Sequence, residues 1–100
     1  MSIFLITPFE MMQHLARQVQ ERRLFLNLSQ KTLSDRSGVS YGVIKKFERT
    51  GQISLESLLK LALTLGKLEK FKDLFDIEPL ENITSLDQLL EEKKRKRGRK

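Results

Sequence analysis

The feature that most constrains this chain is the stretch Leu28 to Gly51, LSQKTLSDRSGVSYGVIKKFERTG, where serines and glycines bracket two short helix-forming runs. Ser29 is placed to cap a helix over Gln30 to Ser37, because its hydroxyl can accept from amides that a first helical turn leaves free. Gly38 stops that helix. Ser40 is a second cap, opening a helix that runs to about Arg49 and ends in Thr50-Gly51, with glycine available for a left-handed cap. A three-residue turn therefore joins two short helices. Leu33, Val39, Ile44 and Phe47 fall on the inward side of this unit and can lock its helices at a fixed angle. The outward positions of the second helix are then Tyr41, Gly42, Lys45, Lys46 and Arg49.

The flanking segments supply the rest of a helical core. From Phe9 to Leu26, apolar residues at Met12, Leu15, Ala16, Val19 and Leu26 keep the period of an amphipathic helix, and Pro8 fits its first turn. Leu55, Leu58, Leu59, Ala62 and Leu65 predict a fourth helix, capped by Ser54 and stopped at Gly66. Leu68 to Phe75 predicts a fifth, with Leu68, Phe71, Leu74 and Phe75 on one side. The leucine stripes of these two helices read as core rather than as a ligand pocket. Pro79 breaks the pattern. Thr84-Ser85 can then cap a last helix carrying Leu86, Leu89 and Leu90, before a basic tail. The expectation is an all-α chain: a five-helix domain over 9–76, an N-terminal extension over 1–8, and a C-terminal extension over 77–100 with one helix and the tail. There is no internal repeat and no glycine-rich phosphate loop. Strand-like alternation is confined to Ser2 to Thr7. The apolar MSIFLITPF either extends the core, pairs as a strand across a dimer axis, or binds another protein.

One hundred residues suffice for a single core but not for two domains with a cleft between them. Cysteine is absent and histidine occurs once, which removes disulfides, thiol nucleophiles and His/Cys metal clusters. His14, on the polar side of the first helix, has no matched acid or nucleophile and reads as a surface residue. No cofactor and no enzymatic activity are expected. The longest apolar run, near Ile3 to Ile6, is too short to span a bilayer, and the N-terminus has neither a basic region nor a cleavage site of a secretory signal. A soluble, cytoplasmic, nucleoid-associated protein without membrane contact is expected.

The net charge of +6 is unevenly distributed. Lys93 to Lys100 holds seven basic residues, leaving twelve basic against thirteen acidic elsewhere, a balance of −1. Between residues 29 and 51, Lys31, Arg36, Lys45, Lys46 and Arg49 outnumber Asp35 and Glu48. Residues 69–92 carry eight acidic groups against Lys70 and Lys72. The tail reads as a solubilising end, a nonspecific DNA-binding arm, or a segment docked on an acidic partner. The local basicity of the bracketed unit favours nucleic acid over a helix pair used only for packing. A helix reads bases when its first turns reach the major groove while the remainder is held rigid. Lys46 can reach guanine O6 and N7 or a phosphate, and Tyr41 can touch a thymine methyl or donate to a phosphate.

The pattern LSQKTLSDRSGVS...I...E.TG resembles the helix-turn-helix of the Cro and lambda-repressor-like family, also called the xenobiotic-response-element family. The likeness covers about residues 10–66. It is carried by Arg23, Leu28, Ser29, Gln30, Leu33, Gly38, Val39, Ser40, Ile44 and Glu48, and by SLESLLKLALTLG, which is similar to the family's SLETLLKLAKALG. The resemblance implies a lambda-repressor-like fold in which Gln30 holds a phosphate and Tyr41, Gly42 and Lys46 face bases. Ser29, Lys31, Ser40, Lys45, Arg49 and Thr50 complete the DNA-contacting set. The resemblance also implies that Arg23 pairs with Glu48 as a structural ion pair, in keeping with the several kcal/mol that an unpaired buried charge costs. Two departures stand out. Ser54 replaces a frequent proline, and Gly42 presents no side chain where a base is commonly read, which shifts the burden to Lys46, Tyr41 and DNA shape.

The implied partners are double-stranded DNA and a second copy of the chain, because one small unit contacts few base pairs and operators are read by dimers on half-sites ~34 Å apart. With no sign of a sensor domain, a repressor acting by occupancy is expected, of prokaryotic or phage origin. Extra segments at both ends resemble HipB-type antitoxins, which bind a HipA-like kinase toxin and repress their own operon. The stretch Glu69 to Leu90 and the basic arm would then supply the protein-binding surface. The alternative is a stand-alone or phage-type repressor. An RNA-associated basic protein is a third reading, resting on the tail alone.

Overall fold

The computed structural model describes residues 6–77. They form α1 (Pro8–Phe25), α2 (Gln30–Ser37), α3 (Tyr41–Thr50), α4 (Leu55–Thr64) and a 3-10 turn (Leu68–Phe71), with no strand among the described residues. Each α-helix starts at a hydroxyl that accepts from its first turn. Ser29 accepts from the Thr32 amide at 3.0 Å, Ser40 from Val43 at 3.2 Å and Ser54 from Ser57 at 3.0 Å. Thr7 accepts from Glu10 at 3.1 Å while the Glu10 carboxylate accepts from the Thr7 amide at 3.0 Å, a reciprocal capping box. Each such cap is worth about 1 kcal/mol. Thr7 is thus the N-cap of α1 and Pro8 its first residue. The T-x-x-E signature was present in the sequence.

Gly38 and Gly51 end α2 and α3 in the left-handed region, at φ +81° and +85°. At Gly51 the backbone also comes close to α1. A Cβ there would stand 3.1 Å from the Met12 carbonyl carbon, so glycine lets the end of α3 abut α1 directly.

Around α3, which packs on both α1 and α2, the core gathers Ala16, Leu28, Leu33, Val39, Ile44, Phe47, Leu61 and Leu65. The inward set Leu33, Val39, Ile44 and Phe47 is buried throughout, with Leu33 and Ile44 fully enclosed. α2 also packs on α4. At the end of α1, Leu26 is the C-cap and partly exposed rather than part of the apolar face.

Two expectations are corrected. In α4 the buried row is Leu61, Ala62 and Leu65, with Leu58 half-buried beside them; Leu61 is fully buried and Leu55 is 66% exposed. Leu58, Leu59, Ala62 and Leu65 are buried or half-buried as their spacing predicts, so the expected stripe holds, with Leu61 added to it and Leu55 left exposed at the helix start. The expected fifth α-helix over Leu68 to Phe75 is a single 3-10 turn, beyond which Leu74 and Phe75 are exposed. The described residues thus hold four α-helices, not five. The last helix expected around Leu86 to Leu90, the apolar segment up to Leu5 and the basic tail lie outside the described residues.

Candidate nucleic-acid interface

The exposed side of α3 begins where its cap leaves the helix dipole's positive end free of carboxylates. Tyr41, Gly42, Lys45, Lys46 and Arg49 are all exposed, while Ile44 and Phe47 on the opposite side are buried. The helix is thus split into a face that anchors it and a face that carries three cations and one phenol. Lys45 Nζ lies 5.1 Å from the centroid of the Tyr41 ring, within the range at which an ammonium is attracted to an aromatic face. That contact holds the two outward side chains together, with the Tyr41 hydroxyl and the Lys45 ammonium both available as donors.

Nothing in the fold requires Gly42 to be glycine. No atom lies within 4 Å of where its Cβ would be, and its backbone is helical. The second position of α3 therefore offers bare backbone to whatever the helix meets.

Behind this face lies an ion-pair network. Arg23 Nε and Nη2 donate to the two carboxylate oxygens of Glu48 at 2.8 and 3.0 Å, a two-pronged geometry that fixes both side chains. Arg23 Nη1 donates to the Leu28 carbonyl at 2.8 Å. One guanidinium so joins the end of α1, the loop before α2 and the last turn of α3. Arg23 and Glu48 side chains are 8% and 4% exposed, so the pair is desolvated and its geometry matters. Glu48 also accepts from Gln30 Nε2 at 2.9 Å. A glutamine amide has two N–H donors, and one of them is spent on Glu48. The other remains for an acceptor such as a phosphate oxygen. The contacts from Gln30 to Glu48 and from Arg23 to Leu28 are not legible from spacing, because the partners are 18 and 5 residues apart and on different elements.

Ser29, Gln30 and Lys31 sit together at the start of α2, Ser29 and Lys31 exposed and Gln30 half-buried. Ser29 and Ser40 oxygens are occupied as caps. Thr50 is the last residue of α3. It lies nine residues beyond Tyr41, roughly 13 Å along the helix, and its hydroxyl donates to the Lys46 carbonyl at 2.8 Å and accepts from the Gln52 amide at 3.1 Å. Its oxygen serves the end of α3. Ser54, at the position where proline was expected from the resemblance, is the cap of α4.

His14 is half-buried on α1, and among the described residues no group of three His, Cys, Asp or Glu side chains could hold a metal ion. No helix among the described residues is long and apolar enough to cross a membrane.

A family model described as Helix-turn-helix matches residues 19–71, which takes in the last part of α1, all of α2 to α4 and the 3-10 turn. Neither a curated protein nor a solved structure matches the chain.

Proposed function

Because the chain belongs to the Cro/C1-type helix-turn-helix family of DNA-binding transcription regulators, we propose that it is a repressor that acts by occupying an operator. The observation that carries this reading is the division of α3. Its inner face is locked by Ile44, Phe47 and the Arg23–Glu48–Gln30 network, and its outer face presents Tyr41, Lys45, Lys46 and Arg49. A rigid helix with cationic and aromatic side chains on its free side suits a groove lined with acceptors and phosphates. The protein works as a homodimer on a palindromic operator, with one α3 in each of two half-sites ~34 Å apart. It acts in the cytoplasm on the nucleoid and carries out no chemistry of its own.

The test is a binding selection from genomic fragments, followed by titration of the selected site and of random DNA. Lys46→Ala and Tyr41→Ala are each expected to reduce discrimination between the two by about tenfold or more, the loss of one good base contact being worth about 1–3 kcal/mol. Unchanged sequence preference in both variants overturns the assignment of the reading face.

The antitoxin reading is favoured by a separate observation, the large apolar side chains left exposed at the end of α1 and after the 3-10 turn. Phe25 is 76% exposed, Phe75 95% and Ile77 94%, and large exposed apolar side chains of this kind suit a protein partner. On this reading the repressor also holds a HipA-like kinase toxin and shuts down their shared operon. Stoichiometric co-purification of a kinase from the native operon supports it. Recovery of the homodimer alone leaves the stand-alone or phage-type repressor.

A further inference from the structure

A concavity lies between α1, α4 and the 3-10 turn, with no residue of α3 in its lining. It is an open groove of about 500 Å³. Its apolar lining includes Leu15, Val19, Leu58 and Phe71, all of them only half-buried. Its charged lining is mainly cationic, with Arg22, Lys67 and Lys70 against the single carboxylate of Glu21. The Arg22 guanidinium is held in place by donating to the Leu65 carbonyl at 3.0 Å. An apolar floor with a cationic margin fits an amphipathic segment that carries acidic groups beside its apolar ones.

The chain itself continues with such a segment. Phe71 lines the groove, and the described residues end six positions later at Ile77. Residues 78–92 then contain five carboxylates (Glu78, Glu81, Asp87, Glu91, Glu92) and no lysine or arginine. Interleaved with them, Ile83, Leu86 and Leu90 recur at spacings of three and four, the pattern of anchors that enter a groove from one side of a helix. The distance is short: the five residues between Ile77 and Ile83 reach about 17 Å when extended. We propose that residues 83–91 of the same chain dock in the α1–α4 groove, with their apolar anchors on its floor and their carboxylates against Arg22, Lys67 and Lys70. This segment then does the work assigned in sequence to a fifth helix, with the 3-10 turn as its lead-in.

Because the chain has no cysteine, a single one can be introduced and labelled cleanly. The full chain carrying Gln88→Cys with a nitroxide spin label is expected to broaden the amide resonances of residues around Val19 and Leu58 in the labelled molecule itself. The same label in Leu89→Asp/Leu90→Asp is expected to leave those amides sharp. Three results overturn the proposal. The first is no broadening around the groove. The second is broadening of the groove amides in a mixture of isotopically enriched, unlabelled chain with labelled, unenriched chain, which would place the segment of a second copy there. The third is broadening that survives the double aspartate substitution. None of these readouts depends on DNA binding, so they stand or fall separately from the proposed repressor function.

Discussion

The residue with the most leverage is Glu48, which accepts from both Arg23 and Gln30 and so joins α1, α2 and α3 at one carboxylate. Removing it leaves the Arg23 guanidinium buried with only the Leu28 carbonyl for a partner. Breaking a buried pair by deleting one member costs about 3–5 kcal/mol, so Glu48→Ala is expected to lower unfolding stability by that amount in urea titrations. A change below 1 kcal/mol would show the pair to be spectator rather than clamp. Gly42 is the opposite case, since the fold has room for a Cβ there and glycine within a helix costs roughly 0.5–1 kcal/mol relative to alanine. Gly42→Ala is expected to raise Tm by a few degrees, read by circular dichroism. Its operator affinity is expected to fall, because the new methyl stands on the exposed face. Higher stability with undiminished affinity would mean that bare backbone at this position is not used by DNA.

Among the elements, α4 shows how far periodicity goes and where it stops. Leucines at 55, 58, 59, 61, 63 and 65 satisfy more than one apolar stripe. The stripe expected from spacing holds at Leu58, Leu59, Ala62 and Leu65, and the core adds Leu61, which is fully buried. Leu61→Ala is expected to cost about 2–5 kcal/mol through lost burial and a residual cavity. Leu55→Ala, at a largely exposed position, is expected to stay within roughly 0.5 kcal/mol. Equal costs in parallel urea titrations would show that Leu55 is buried as deeply as Leu61. The caps behave differently because they are local. A serine, the amide three residues on and a glycine at the far end define α2 and α3 without help from the rest of the chain, which is why both were readable with their boundaries. The 3-10 turn at Leu68–Phe71 was not, since Leu74 and Phe75 have helical spacing but no buried surface among the described residues to receive them.

At the scale of the whole molecule, charge and specificity are carried by different parts. The helix-turn-helix face supplies few cations, and Lys93 to Lys100 carries +7 against −1 for the rest of the chain. Each neutralised phosphate releases counterions whatever the base sequence. Deleting residues 93–100 is therefore expected to weaken binding to operator and random DNA alike and to flatten the dependence of log K on log salt, as measured by fluorescence anisotropy across a salt series. Loss of all nucleic-acid binding in that variant would remove α3 as the reader.

What the sequence alone determined are the features that depend on neighbours within a turn or two. These are the caps at Ser29, Ser40 and Ser54, the left-handed stops at Gly38 and Gly51, the inward set Leu33, Val39, Ile44 and Phe47, and the outward cations of α3. Each follows from backbone geometry and helical period. The tertiary structure decided what needs partners from distant positions: which leucines of α4 are buried deepest, the loss of the fifth helix, the Gln30 amide on Glu48, the third hydrogen bond of Arg23 to Leu28, and the groove between α1 and α4. In these cases several arrangements share the same local energies, and only burial and hydrogen bonding between elements separate them. The helix-turn-helix was legible because its local signals agree with its packing, and α4 was legible in its stripe, while leucines on several of its faces left the depth of each to the core.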